Sequence, residues 1–487
     1  MRFQELLRVV AAPAAPSYNG ITMTRMTRRT FLAGAAAPAI LRGKRRTNVV
    51  FIMTDDHGAW ATGAYGCPEI QTPNIDRLAA GGARFTRAYA CTPVCSPSRM
   101  TYMTGRLPSH HHVQDWLRPV DSYGERSRFW LAGHPTWSEP LARAGYVLGM
   151  SGKWHMGHDE QAQAGFTWWN TVPGGGGTYK NPVFVKNGRR TPTRGYKTDL
   201  VGDGALEFLA RAAGRPFVLY VPFYAPHTPY NYQPERYRRP YENGRFPCFP
   251  DEPRHPWQNP SLNRLFHSRD AKQAYSALIT GMDHNVGRIV RFLEQTGQRD
   301  NTLIVFTADQ GWNAGHHGVW GKGNGTIPFN MFEESIRVPM IWNHPGEIAP
   351  GQTLDPLVSN YDFLPTILDY LGVPAPEDPK RVGRSYAAWL RGERPEWRRR
   401  LYFEYCYVRA VRTENLKYIE RTREWPSELY DLEADPGEKI NRIDDPAYAR
   451  RLAALRKDLE GFFRRAGAPP LEEWKSTTTQ HLTVYRR

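Results

Sequence analysis

The chain lacks the features that define several protein classes. No run of about 18 apolar residues occurs, so an integral membrane span is not expected. Only five of its 487 residues are cysteine: Cys67, Cys91, Cys95, Cys248 and Cys406. They form no C-x-x-C pair, which argues against a structural zinc site. Their wide spacing does not suggest a disulfide scaffold and specifies no individual bridge. There is no internal repeat. The 43 glycines and 40 prolines exceed the usual share but fall short of a low-complexity chain. They predict a packed core carrying long, shaped loops. Outside residues 1–46 no basic stripe with interleaved aromatics occurs, so nucleic acid is not an expected partner.

A net charge of +16 is present nonetheless, and half of it is local. Residues 1–46 hold nine Arg/Lys against the single acid Glu5. Within them, Thr27-Arg28-Arg29-Thr30-Phe31-Leu32 precedes a short apolar run to Leu41, with Ala37-Pro38-Ala39 as a small-residue cleavage site. A charged front, a short apolar middle and small residues make a signal peptide. The arginine pair resembles a twin-arginine export signal, with Met23 or Met26 as alternative starts to Met1. The expected location is periplasmic or extracellular, with the export machinery as a partner. Residues 1–46 are therefore set apart from the fold.

Beyond them, apolar runs of strand type alternate with helical stretches. The strands are expected at Asn48–Met53, Tyr146–Met150, Phe217–Phe223, Leu303–Phe306 and Val338–Trp342. Helices are expected after Thr72-Pro73, over Asp199–Ala212 and over Ala271–Gln295. The alternation predicts an α/β domain over 47–374, a mostly parallel sheet covered by helices on both faces. Short strands from Leu401 to Leu432 and an amphipathic helix over Pro446–Arg465 predict a smaller antiparallel subdomain over 375–487. The segments 158–198 and 228–270 read as long loops.

In parallel α/β sheets, ligands bind beyond the carboxyl ends of the strands. Four strand ends here carry reactive groups: Asp55-Asp56-His57, Lys153-Trp154-His155, Pro226-His227 and Asp309-Gln310. A lone His or Asp in such a place is more often a structural loop residue, but four together point to one site. Cys95-Ser96-Pro97-Ser98-Arg99 opens a helix expected from Pro97 to Thr104 and closed by Gly105. Free N–H groups at a helix start, together with the five-donor guanidinium of Arg99, suit an oxyanion. An unmodified thiol in that place would be a nucleophile of lowered pKa. The Gly-rich cradle of a Cys-to-phosphate mechanism is missing.

Cys95 to Arg99 resembles the C-x-P-x-R signature of sulfatases, within the alkaline phosphatase superfamily. Asp55-Asp56-His57-Gly58, Thr72 to Asp76, Gly152 to Gly157, Pro226-His227, Asp309-Gln310-Gly311, Gly321-Lys322 and Arg337-Val338-Pro339 match the family's motifs in order. Glu428 to Leu432 and Asp435 to Glu438 resemble its small subdomain, so the likeness spans roughly 47–465.

The resemblance implies an alkaline phosphatase-like fold and a formylglycine made from Cys95 by a formylglycine-generating enzyme. One hydroxyl of the hydrated aldehyde attacks sulfur, and the second allows sulfate to be released. Serine could perform only the first step. A cation beside Cys95 would be held by Asp55, Asp56, Asp309 and Gln310, oxygen ligands that suit Ca²⁺ better than Mg²⁺. Gln310 departs from the Asn or His of many relatives. Arg99, Lys153 and Lys322 would neutralise the sulfate. His155 would take a proton from the diol, and His227, with Lys322, would protonate the leaving alcohol. His317 resembles a substrate-side histidine of some relatives.

The expected substrate is a sulfated small molecule or glycan. The alternatives are a phosphonate or phosphodiester hydrolase of the same superfamily, and a silent glycan-binding protein with unmodified Cys95. Trp168, Trp169, Trp257 and Tyr230 would either stack on sugars or pack in the core. His110-His111-His112 would either bind a substrate anion or lie in a solvated loop.

Overall fold

A computed structural model describes residues 46–422 and 424–473. The expected signal segment, apart from Arg46, lies outside the described residues. Asn48–Thr54 (β1) is buried throughout, as its unbroken apolar run requires. Around it, Ala83–Phe85 (β2), Val147–Gly152 (β3), Trp168–Thr171 (β4), Val183–Lys186 (β5), Arg189–Pro192 (β6), Phe217–Pro222 (β7), Thr302–Ala308 (β8), Met340–Asn343 (β9) and Gln352–Leu354 (β10) complete a ten-stranded sheet. Its order is β10-β2-β9-β8-β1-β7-β3-β4-β5-β6.

The five strands from β8 to β4 are parallel. The flanks depart from the sequence expectation. Strand β9 runs antiparallel to both β8 and β2. Strands β4 to β6 form an antiparallel edge inside what the sequence presents as a long loop.

Alternate residues of β1 feed two cores. Val50 and Ile52 pack among residues of Lys197–Arg211 and Arg269–Gln295, including Val201, Leu278 and Met282. Val49, Phe51 and Met53 pack with Met100 and Met103, and with Phe363 and Leu364 of the helix Phe363–Tyr370. Both faces are thus covered, and the open end of the sheet is left for the site.

Arg400–Tyr405 (β11), Val408–Thr413 (β12), Leu416–Arg421 (β13) and Glu428–Asp431 (β14) form a four-stranded antiparallel sheet. The helix Ala449–Arg465 packs on it through Leu452, Leu455, Leu459 and Phe463. Phe462 stacks on Tyr402 at 3.7 Å.

A buried ion network joins this sheet to the large domain. Lys417 Nζ lies 3.2 Å from Glu333 Oε1 and also pairs with Glu438. Arg412 reaches Glu333 at 3.4 Å, and Tyr89 donates to Glu333 at 2.9 Å. Burial pushes the Glu333 carboxyl up, but Lys417 and Arg412 outweigh it and hold it at about 2.

Cys67 and Cys248 form a disulfide with Cα atoms 6.0 Å apart, a pairing that sequence spacing did not disclose. It ties the chain after β1 to the 228–270 connection. Cys91, Cys95 and Cys406 are free and buried.

Candidate active site

Strand register brings the carboxylates together. Thr54 pairs with Ala308, and the Asp309 N–H donates to Thr54 O at 2.9 Å. Asp55 and Asp309 therefore leave adjacent strands side by side. On the other flank Met53 pairs with Pro222, whose carbonyl accepts the Lys153 N–H at 2.7 Å. Asp56 turns out of the strand with φ 59°, and its carbonyl accepts the Tyr275 hydroxyl at 2.8 Å.

Cys95 is the first residue of the buried helix Cys95–Thr104, one turn before Arg99. Arg99 donates through Nε to Asp309 at 2.7 Å, through Nη2 to Asp55 at 3.2 Å, and through Nη1 to the Lys153 carbonyl. Lys153 also pairs with Asp55. Lys322 lies 2.6 Å from Asp56 Oδ1 and 3.8 Å from Cys95 Sγ. Three buried carboxylates thus face three buried cations around one sulfur atom.

Burial pushes the Asp55 carboxyl up, but Lys153, His227 and Arg99 hold it well below its ordinary range. Asp56 is pushed up to about 7 by burial and by Asp55, against the pull of Lys322. Asp309 is pushed up to about 6 by burial and Asp55, against Arg99. Burial also raises the Cys95 thiol, although Lys153 and Lys322 oppose it. The encoded thiol is therefore not the activated thiolate that a helix start suggests on its own; desolvation outweighs the nearby cations.

Histidine tautomers follow from their partners. His155 Nε2 faces the Leu117 carbonyl at 2.8 Å, and a carbonyl can only accept, so Nε2 carries the proton. Nδ1 is buried and has no hydrogen-bond partner among the described residues. Burial and the charge on Lys153 hold this ring well below its ordinary pKa, leaving a neutral imidazole with a bare nitrogen. His227 Nδ1 likewise donates to the Thr228 carbonyl, which leaves Nε2 bare and 3.7 Å from Asp56 Oδ2.

The donor set fits a hard divalent cation. Ligand atoms of Asp55, Asp56 and His227 lie within 4.8 Å of one another, so His227 stands with the carboxylates. Asp56 Oδ2 and Gln310 Oε1 are buried atoms with no hydrogen-bond partner among the described residues. The Gln310 amide nitrogen contacts Asp56 Oδ1 at 2.6 Å. An unpaired carboxylate oxygen in a dry site is costly unless a cation takes it up.

A cleft of about 400 Å³ opens above Cys95, Asp56, His155, His227 and Lys322. Sequence reasoning missed its other walls, among them Trp116, Gly174–Gly176, Asn259, Ser261 and Asn324. The glycine run was visible in the sequence, but nothing local tied it to His155. Lys197 anchors that run from behind, donating to the carbonyls of Gly176 and Gly177 at 3.0 Å each. Its ammonium sits 3.8 Å from the Tyr224 ring centroid. Gly175 has φ +65°, and a Cβ there would overlap the His155 ring. Gly175→Ala is therefore expected to lower kcat about 10²-fold by displacing that imidazole, as misplacement of about 1 Å can do. Rate measurements beside a denaturant titration separate this from unfolding.

His317 is not brought to the cleft. Its ring is buried, donates to Glu334 at 2.5 Å and stacks on Phe332, and it belongs to the ion network at the second sheet. The substrate-side role expected for it is corrected on that ground. His110 and His111 are buried at 3% and 1% exposure, against the solvated-loop alternative. Trp169 packs on Trp154 within the core, and the half-buried Tyr230 and Trp168 pack against it, on Tyr275 and Trp320 and on Phe208. Trp257 lies under Arg421. None of these four lines the cleft.

A mixed ten-stranded sheet between helices, a small antiparallel C-terminal sheet and an oxyanion site at the strand ends define the alkaline phosphatase class of hydrolases. Within it, residues 47–373 match the model of the Sulfatase family, and residues 315–464 that of the N-sulphoglucosamine sulphohydrolase C-terminal region. The chain belongs to the sulfatase family and is a sulfuric ester hydrolase. It is 29% identical to the N-acetylglucosamine-6-O-sulfatase of Bacteroides thetaiotaomicron, over 85% of this chain and 86% of that protein. It is 30% identical to the choline-sulfatase of Rhizobium meliloti, over 82% and 83%. A solved structure in complex with its substrate D-glucosamine-2-N,6-O-disulfate aligns with TM-score 0.77 and 27% identity, covering 88% of this chain and all of that one.

Proposed function

We propose that this protein is an exported sulfatase that hydrolyses sulfate esters of carbohydrates, using formylglycine made from Cys95 beside a bound divalent cation. The observation that carries the reading is the placement of Cys95: at the start of a buried helix, 3.8 Å from the Lys322 ammonium, at the floor of a cleft shared with Asp56, His155 and His227. The modification supplies a geminal diol, whose second hydroxyl a thiol or serine lacks. Asp55, Asp56 and Asp309 would hold the cation, with Gln310 or His227 completing the set; it supplies Lewis-acid polarisation of the sulfate.

The chain's own groups do the rest. The Lys153 and Lys322 ammonium groups and the guanidinium of Arg99 balance the charge of the sulfate. His155 Nδ1, bare and aimed by the Leu117 carbonyl, takes the proton from the residue-95 side chain. Lys322 carries protons that it can give to the departing alcohol. His227 serves there once Nε2 is protonated, which burial opposes and the Asp55 charge supports.

Relatives that act on N-acetylglucosamine 6-sulfate and bind a sulfated glucosamine support a sugar substrate. The Cys67–Cys248 bridge supports export, since disulfides persist in oxidising compartments. So do the paired arginines Arg28 and Arg29.

The test is direct. Protein purified from the periplasm should turn over 4-nitrophenyl sulfate in preference to a phenylphosphonate monoester. Its residue-95 peptide should lack sulfur and react with hydrazines. A plain thiol in active protein would overturn the mechanism, and preference for the phosphonate would overturn the substrate class.

A further inference from the structure

The character of the cleft narrows the substrate further, on the footing of the sulfatase reading above. Its ionisable lining is confined to the floor, at Asp56, Lys322, His155 and His227. Among the described residues, the rest of the lining carries no charged side chain, in a chain of net charge +16. The cations nearby are already engaged. Arg99 and Lys153 are committed to Asp55 and Asp309. Lys197 is buried behind the glycine wall and bonded to Gly176 and Gly177. Arg118, next to the cleft residue Pro119, is paired with Asp121 at 2.7 Å. Arg264, two residues beyond Leu262, does not line the cleft.

What the walls offer is neutral. Trp116 and Leu262 give apolar surface. Asn259 is fixed, its amide donating to Asn324 O at 3.1 Å and its oxygen accepting from Ser261 N at 3.1 Å and Ser261 Oγ at 2.9 Å. Ser261 Oγ keeps its lone pairs, and Asn324 presents an amide with both donor and acceptor. An apolar side beside uncharged donors and acceptors matches a sugar ring with hydroxyl or acetamido groups. The cleft, about 400 Å³, lies toward the small end of the roughly 300–1,000 Å³ range of ligand sites, a size that one sugar unit fills.

We propose that the cleft takes a single pyranose that is neutral apart from the sulfate being removed, with Asn324 and Ser261 reading its hydroxyls. A second sulfate on that ring would enter these walls without a counter-charge, and an uncompensated anion leaving water is penalised.

The experiment compares matched pairs of monosaccharides in the glucosamine and galactosamine series. Each pair consists of an N-acetyl 6-sulfate and the corresponding 2-N,6-O-disulfate, with 4-nitrophenyl sulfate as reference. The monosulfate of at least one pair should show kcat/KM at least tenfold above its disulfate. Asn324→Ala should lose tenfold or more on that monosulfate and at most threefold on the aryl sulfate. Asn324→Arg should narrow or reverse the gap within the pair. Aryl sulfate turnover accompanied by equal or better use of the disulfates, or by no sugar turnover at all, would overturn the proposal and leave the sulfatase reading standing. No turnover of any sulfate would overturn both.

Discussion

Cys95→Ala is expected to be a folded protein whose kcat on 4-nitrophenyl sulfate is lower by at least about 10⁴-fold, the scale on which loss of a covalent nucleophile is felt. Folding should survive because the change removes a single sulfur atom from the buried start of a helix. Lys322 Nζ lies 3.8 Å from Sγ, and alanine suits the helical position. Thermal melts within a few degrees of the parent, alongside the lost rate, would separate chemistry from stability.

Cys95→Ser sharpens the test. Its hydroxyl can attack sulfur, forming an O–S bond as the ester O–S bond breaks and the alcohol leaves with a proton. It has no second hydroxyl from which His155 could take a proton to expel sulfate. A single turnover followed by arrest is expected, with one SO₃ group retained on the residue-95 peptide by mass spectrometry. Steady turnover by Cys95→Ala would remove the residue from the mechanism altogether.

The central strands and the groups at their ends were legible because each is locally encoded. An unbroken apolar run such as Asn48–Met53 admits a strand buried on both faces, and the polar break at Asp55-Asp56 marks where it ends. The antiparallel direction of β9 was not legible, since Val338–Trp342 has the same apolar character whichever way it runs. Edge strands β4 to β6 hid within a Gly- and Pro-rich segment, and Arg189–Pro192 carries no apolar alternation at all.

At the site, sequence placed Asp55, Asp309, Lys153 and Cys95 in one neighbourhood, and the register of β8, β1 and β7 brings them there. His317 sits apart from the cleft because Glu334, 17 residues on, and the more distant Glu438 draw the ring into the ion network between sheets. The tautomer of His155 depends on the Leu117 carbonyl, 38 residues away, which no motif encodes.

Removal of divalent cations is expected to lower kcat by at least about 10³-fold, comparable to or beyond the loss of one preorganised charge. It should also lower the melting temperature, with calcium restoring both. The physical ground is the cost of gathering Asp55, Asp56 and Asp309 in a dry site. Burial and mutual repulsion push Asp56 up to about 7 and Asp309 up to about 6 even with Arg99 and Lys322 beside them. A ligand that binds only the folded state stabilises it by about 2.7 kcal/mol at a hundredfold excess over Kd, so a calcium titration followed by thermal melting reads the site without any turnover.

Protons compete for the same oxygens. The calcium-induced shift should therefore shrink as pH falls through about 7 and then about 6, where Asp56 and Asp309 take up protons. Lys322 competes as well, because its ammonium lies 2.6 Å from Asp56 Oδ1. Lys322→Met should enlarge the calcium-induced shift while lowering kcat, two effects of opposite sign that a general loss of structure would not produce. A melting temperature indifferent to both chelator and calcium would mean that these carboxylates are satisfied by Arg99, Lys153 and Lys322 alone.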